Sequence, residues 1–240
     1  MASPLDLRGR IAVVMGGTSG LGKSIAEGLS AHGAKVVAAG RRSVQYSADV
    51  TKRESLAALR DLVLQEYGCV DILVNAAGVT FRQPTATVGE GDWERLFDVS
   101  LTGALRACQA FHEPLRSNGR GRIVNIVSLS SFVAFYEVAA YSAAKTALLS
   151  LTRSLAVEWA QDNISVNAIA PGVFPTELNR KLIEGTARGA ELLQRTPMRR
   201  FGKPEELTGA AVLLCSDAAS FLTGQCITVD GGFLASGVNS

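Results

Sequence analysis

Histidine is scarce in this 240-residue chain, where His32 and His112 stand alone, and its four cysteines, Cys69, Cys108, Cys215 and Cys226, are widely spaced with no C-x-x-C pair. These shortages argue against a zinc site and a disulfide framework, and leave reduced thiols as the expectation. Excess charge of one sign is lacking too, with 24 Lys+Arg against 22 Asp+Glu, and the basic residues are scattered. That balance gives no nucleic-acid footprint and no basic membrane-binding segment. No apolar run approaches the roughly 20 residues needed to span a bilayer. The start, Met1 to Arg10, lacks the apolar core of a signal peptide, so a cytoplasmic protein is expected. Repeats, linkers and low-complexity tracts are missing as well. With 47% apolar residues a substantial core is available, and residues 1–240 read as a single domain.

What is present is a succession of apolar strands and helical stretches. Arg10 to Met15 is a buried strand, followed by Gly16-Gly-Thr18-Ser19-Gly20-Leu21-Gly22 and a helix through Ile25, Ala26 and Leu29. Strand, glycine-rich turn and helix together let backbone amides and a helix N-terminus approach a pyrophosphate. The second strand, Lys35 to Ala39, ends at Gly40-Arg41-Arg42. A carboxylate there would serve a ribose 2′-hydroxyl; two guanidiniums suit a 2′-phosphate, and so NADP(H), with NAD as the alternative. Only Arg41 to Ser47 separates that strand from Ala48-Asp49-Val50, too little for a crossover helix. Either a short third strand is reached by a tight loop, or that edge is irregular and the adenine pocket more open. Further along, Val70 to Asn75 reads as a buried strand ending in Ala76-Ala77-Gly78, small residues against which a flat ligand can lie. Asp92 to Glu113 reads as one long helix, kinked near Thr102-Gly103.

Chemistry concentrates between Ser128 and Lys145. Arg122 to Val127 is a β-branched run that reads as a strand, and the chain from Ala140 is Ala- and Leu-rich and reads as a long helix. Tyr141 and Lys145, four apart, share one helix face. A phenol with a reference pKa of about 10 works poorly at neutral pH unless positive charge stabilises its phenolate, and Lys145 supplies an ammonium one turn away. The Ser128 hydroxyl at the strand end can hold the same substrate oxygen. Ile164 to Pro171-Gly172 is a further strand, 175–200 reads as a helical flap over the site, and Gly224 to Gly232 holds the last strand.

On Gly16-x-x-x-Gly20-x-Gly22, Asn75-Ala-Ala-Gly78, Ser128, Tyr141-x-x-x-Lys145 and Pro171-Gly172 with Thr176 downstream, the sequence resembles the short-chain dehydrogenase/reductases over essentially its whole length. The resemblance implies an α/β fold, a Rossmann-type doubly wound parallel sheet of seven strands, in homotetramers (or dimers) built on the long helices. It implies that Tyr141 is the general acid or base, that Ser128 orients the substrate carbonyl, and that Lys145 binds the nicotinamide ribose and lowers the tyrosine pKa. Pro171, Gly172, Phe174 and Thr176 would line the carboxamide side, Asn75 to Gly78 the nicotinamide half, and Asp49 and Val50 the adenine half. The chain departs from the pattern at Met15, at the shortened second crossover, and at Ser100, which stands where the family commonly has a water-holding asparagine.

Its stretches around Leu151 to Ala160, Asn163 to Gly172 and Phe174 to Asn179 look like the gluconate 5-dehydrogenase and 2-dehydro-3-deoxygluconate dehydrogenase branch. A small-molecule sugar acid or polyol is therefore the expected substrate. Arg82 would pair with its carboxylate, and Ser130, Tyr136, Glu177 and Asn179 are further substrate candidates. The alternatives are a 3-oxoacyl-thioester reductase, for which Arg199 and Arg200 would help dock an acyl carrier, and a non-catalytic cofactor-binding interaction protein.

Overall fold

The computed structural model describes residues 3–177 and 179–238. Its centre is one parallel sheet formed by β1 (Ile11–Met15), β2 (Lys35–Ala39), β3 (Ile72–Asn75), β4 (Gly121–Ile126), β5 (Ile164–Pro171) and β6 (Cys226–Val229), in the order β2-β1-β3-β4-β5-β6. Every residue of β1, β3, β4 and β5 is buried, which explains why their residues are mostly apolar and do not alternate with exposed polar ones: a parallel strand covered on both faces has no solvent side to alternate with. Helices α1 (Gly20–Ala31) and α8 (Thr208–Cys215) pack on one face through Ile25, Leu29, Val212 and Leu214. Against the other lie α2 (Arg53–Tyr67), α4 (Gly103–Ser117) and α5 (Ala139–Glu158).

Pairing aligns Met15 with Ala39 and Asn75, and Asn75 with Asn125. Gly16, Gly40 and Ala76 therefore emerge along one line at the carboxyl edge. The chain order reverses between β1 and β3, which opens a crevice where doubly wound sheets hold ligands.

Two expectations need correction. Six strands, not seven, are present among the described residues: Ala48-Asp49-Val50 makes no strand, and the 41–52 segment curls back through Gly40 N to Tyr46 O (3.3 Å) and Ala48 N to Gly40 O (3.3 Å). Tyr46 fills the space beside the edge, its hydroxyl bonded to Glu66 (2.9 Å) and Tyr67 (3.1 Å). Second, the long helix expected over Asp92 to Glu113 is α3 (Glu90–Phe97) and α4 joined by a wide π-type turn at Asp98–Thr102. The extra residue of such a turn rotates one side chain out of helical phase, and Ser100 is thereby buried. The Arg106–Asp98 ion pair (2.6 Å) and the packing of Val50 against Gly103 hold it there. The 175–200 segment contains two short helices, α6 (Arg180–Ile183) and α7 (Ala187–Arg195), seated through Ile183 and Leu192 on Leu129 and Phe233.

At the amino edge the fully buried Asp71 accepts from Ile11 N (2.8 Å) and Asn118 Nδ2 (2.6 Å), pairs with Arg120 Nε (2.7 Å) and faces Arg10 at 3.5 Å. Arg10 also bonds Asp217, whose carboxylate lies 3.6 Å from Arg122. Among the described residues no helix is long and apolar enough to cross a membrane, and no three His, Cys, Asp or Glu gather as a metal site.

Candidate active site

The glycine turn after β1 is tight because the sheet crowds it. Gly16 has φ +78°, and a Cβ there would stand 2.8 Å from Ala77 N; Gly20 has φ +53°, and its Cβ direction meets Thr176 at 3.7 Å. The turn is thereby brought against both the end of β3 and the root of the flap. Ser19 occupies the N-cap of α1 without capping it, and the first turn of α1 carries no carboxylate, so its positive end is left for an anion. A Cβ on Gly40 would come within 2.9 Å of Thr18 Oγ1, which puts Arg41 and Arg42, both exposed, beside that turn. Leu21 and Gly22 begin α1 itself.

Asp49 and Val50 are less available. The Asp49 carboxylate accepts from Thr51 N (3.0 Å) and Thr51 Oγ1 (2.7 Å); these bonds hold it below the usual carboxylate range, with the Arg41 charge contributing. Val50 is in the core between α2 and α4. Asn75 Nδ2 donates to Asn125 Oδ1 (2.8 Å), and Asn125 donates to Thr152 (2.9 Å), tying β3, β4 and α5 together, while Asn75 Oδ1 is buried without a partner. Ala76, Ala77 and Gly78 continue to the crevice surface.

Ser128, one residue past Val127, accepts from Ser130 N (3.1 Å) and stands near enough to the Tyr141 hydroxyl to favour its phenolate. Tyr141 begins the second residue pair of α5 and retains some solvent exposure. Burial raises its pKa, and Ser128 pulls it back. Lys145 lies over the Tyr141 ring, its Nζ 5.9 Å from the centroid, and donates to Ile126 O (2.7 Å). Burial alone pushes the ammonium down to about 8. Ser128 favours the phenolate, and burial disfavours the charged form of the lysine itself. Ser100 Oγ is buried without a hydrogen-bond partner. It and Lys145 Nζ flank Gly78: a Cβ there would lie 3.9 and 3.7 Å from them.

Pro171 ends β5, and Gly172, whose Cβ would collide with Asp230 at 2.6 Å, hugs the last strand. Phe174 is buried against Gly202, so its side chain is core. Asn179 is not open to substrate: its Oδ1 accepts from Thr176 N (2.8 Å) and its Nδ2 donates to Phe174 O (3.0 Å), pinning the hinge of the flap. Arg82 is paired with Glu137 (2.7 Å). Ser130 is buried with an unpartnered hydroxyl, while Tyr136 and Glu177 are exposed. Sequence reasoning missed Glu137 and Arg188, which donates to Tyr136 O (3.3 Å); no spacing pattern marks either. Arg200 forms a two-point pair with Glu206 (2.6 and 2.7 Å), which neutralises half of the basic pair considered for acyl-carrier docking.

Comparison with known proteins follows the same lines. The family described as enoyl-(acyl carrier protein) reductase matches residues 16–234. A 2-dehydro-3-deoxy-D-gluconate 5-dehydrogenase from Escherichia coli K12 is 37% identical, covering 97% of this chain and 98% of its own. An NAD-dependent glycerol dehydrogenase from Listeria innocua is 36% identical over 95% of each. Among solved structures, a gluconate 5-dehydrogenase from Burkholderia cenocepacia J2315 in complex with NADP and tartrate superposes with a TM-score of 0.92, at 35% identity over 98% of both chains.

Proposed function

The chain belongs to the short-chain dehydrogenase/reductase family, and from that premise we propose an NADP(H)-dependent oxidoreductase that interconverts a secondary alcohol and a ketone on a sugar acid or polyol. The observation that carries this is the placement of Ser128, Tyr141 and Lys145 together at the mouth of the crevice, with the Lys145 ammonium 5.9 Å from the centre of the Tyr141 ring. Relatives acting on deoxygluconate and glycerol bracket the substrate class.

The residues present fit a dinucleotide. The turn from Gly16 to Gly22 is close enough to the sheet for backbone amides to face a pyrophosphate, with Thr18, Ser19 and Leu21 at the free end of α1. Arg41 and Arg42 would hold a 2′-phosphate; Asp49 and Val50 border the adenine side. Ala76, Ala77, Gly78, Pro171, Gly172 and Thr176 bound the nicotinamide half, with Asn75 and Phe174 supporting them from the core. When bound, the nicotinamide accepts or supplies the hydride.

The protein's own part is proton handling and orientation. In oxidation the Tyr141 oxygen takes the hydroxyl proton from the substrate; in reduction it returns one. Ser128 donates to the substrate oxygen and to the phenolate in turn, which lowers the cost of the buried negative charge. Lys145, destabilised as an ammonium by burial, gains from any hydroxyl or phenolate oxygen that approaches it. Ser100 Oγ, unpartnered beside it, can hold a water that passes the proton onward.

We further read residues 1–240 as one domain with 175–200 as its flap, self-associating as a homotetramer or dimer across the outer faces of α4 and α5, where Val157 is 80% exposed. The four unpaired cysteines and near-neutral charge fit a cytoplasmic setting.

Steady-state rates with NADP+ and NAD+ on gluconate and sorbitol, and with NADPH and NADH on 2-keto sugar acids and an acetoacetyl thioester, test the proposal. Turnover of a sugar acid or polyol with NADP+ is expected; turnover of the thioester alone would overturn it. Arg41→Ala should weaken NADP+ by roughly tenfold relative to NAD+, the loss of one charge-assisted phosphate contact, and equal losses would refute the 2′-phosphate assignment.

A further inference from the structure

Three charged side chains from separate elements converge at the rim of the crevice. Arg82, on the loop after β3, pairs through Nε with Glu137 Oε2 at 2.7 Å, and the neighbouring Gln83 N donates to Glu137 O at 2.9 Å. Glu137 has φ +64°, a left-handed backbone that a residue with a Cβ adopts only at a steric cost. The two contacts from 82 and 83 hold it there. From the flap, Arg188 on α7 donates to the carbonyl of Tyr136 at 3.3 Å, directly before Glu137. Burial, and next the Arg82 charge, push Arg188 below the usual guanidinium range, while Glu191 and Glu137 draw it back. Glu191 is exposed, whereas the Glu137 side chain is only 19% exposed. Phe81, adjacent to Arg82, packs in the cluster that contains the Tyr141 ring, so this rim is continuous with the reacting end of the crevice.

Two guanidiniums from different elements, Arg82 paired with the largely covered Glu137 carboxylate and Arg188 bonded to the Tyr136 carbonyl just before it, make a carboxylate site already filled. A planar guanidinium exchanges one carboxylate for another without loss of geometry, whereas a neutral hydroxyl offers no charge to replace. Resting on the sugar-acid side of the function proposed above, we propose that Arg82 and Arg188 bind the carboxylate of the substrate, and that Glu137 occupies their site until the substrate displaces it. Glu137 then acts as an internal competitor that sets affinity for acids and leaves neutral polyols untouched. Displacement also releases the left-handed residue and the Arg188 contact that joins the flap to the 132–137 loop, so seating of the acid and movement of the flap are linked.

Calorimetry on the NADPH-loaded enzyme, which cannot oxidise an alcohol, reads this directly with gluconate and its neutral counterpart sorbitol. Glu137→Gln keeps the backbone carbonyl that Gln83 bonds and removes only the charge. It should tighten gluconate by roughly three- to tenfold, and Arg188→Leu should weaken it by a similar factor, the range expected for a partly exposed charge contact. Sorbitol should bind equally to all three proteins. Equal shifts for both ligands, no shift for either, or no gluconate binding at all would overturn the site. Should the charge dependence hold while NADP+ never supports gluconate oxidation, the carboxylate site stands and the dehydrogenase assignment falls. Should gluconate and sorbitol be oxidised alike with KM indifferent to both variants, the assignment stands and the site falls.

Discussion

At the amino edge of the sheet, Asp71 is fully buried and still meets Ile11 N, Asn118, Arg120 and Arg10. At the carboxyl edge, one strand-length away, Ser100 Oγ on the turn before α4 and Ser130 Oγ just past β4 are buried with no partner, and Lys145 on α5 keeps an ammonium in the interior against one backbone carbonyl. The sheet thus has charge that is satisfied at one edge and polar groups that are not at the other. Leaving a buried polar group unpaired costs about 1–3 kcal/mol; the amino edge has one such atom among the described residues, Ser165 Oγ, whereas Ser100 Oγ and Ser130 Oγ lie beside the reacting residues, where something else is meant to bind. The amino edge holds the fold together; the carboxyl edge gives up stability to keep donors and acceptors free.

The sharpest break in that contrast comes from Tyr141→Phe, which removes one hydroxyl from the unsatisfied edge. Turnover should fall by about 10²–10⁴, the range of a lost acid/base group, with the unfolding midpoint unchanged. A variant that turns over normally would remove Tyr141 from the reaction.

Asp71→Ala is the reverse experiment. It leaves Ile11 N and Asn118 without their acceptor and Arg10 with Asp217 as its remaining carboxylate, and should cost about 3–5 kcal/mol in urea unfolding, as breaking a buried pair does, while turnover per folded molecule stays at the wild-type value. Loss of turnover without loss of stability would erase the distinction between the edges.

Lys145→Met should abolish turnover and yet raise stability at pH 7 by about 1–3 kcal/mol, since an apolar residue replaces a poorly compensated buried charge. The gap should depend on pH. The folded-state pKa is pushed down to about 8, below the unfolded value of about 10.4, so between those two values the unfolded wild type binds the proton that the folded one has released. Wild-type stability then gains on the variant as pH rises from 8 to 10, and the gap narrows. The buried thiols titrate alike in both proteins, so the difference between the two unfolding curves isolates the lysine. A gap that is constant or widens would place Lys145 outside this account.

The smallest effect is expected of Ser100→Ala. With no hydrogen bond to lose, stability should stay within about 1 kcal/mol of wild type or rise, while turnover declines if the hydroxyl holds a water for the proton path. A fall in stability with intact turnover would move Ser100 to the structural class of Asp71.

The strands and the reacting trio were legible in the sequence because each rests on local pattern: mostly apolar runs for β1, β4 and β5, and fixed spacing along one helix for Tyr141 and Lys145. What escaped depends on contacts the spacing does not encode. Arg10 and Asp217 meet from opposite ends of the chain, and Asp71 is one acid among many until Arg120 folds onto it. The short 41–47 segment announced an unusual edge, but not that Tyr46 would fill it. A kink near Thr102-Gly103 was foreseeable from the glycine; the wide turn that carries Ser100 inward was not, because helical phase was assumed to continue. Asn179 and Phe174 looked like site residues by position, and the flap hinge and Gly202 claimed their side chains. Glu137 could not be found at all, since its backbone conformation is imposed by Arg82 and Gln83.

The central claim is that one carbon of the substrate loses its hydride while Tyr141 takes the proton from the attached oxygen. Single-turnover appearance of NADPH absorbance tests it most directly, with the accepted substrate deuterated at the reacting carbon, in H2O and in D2O. Both substitutions should slow the same step in the wild type, and in Tyr141→Phe the solvent effect should vanish from the residual rate while the substrate effect remains. A solvent effect of equal size in Tyr141→Phe would show that the proton leaves by another group and would contradict the account.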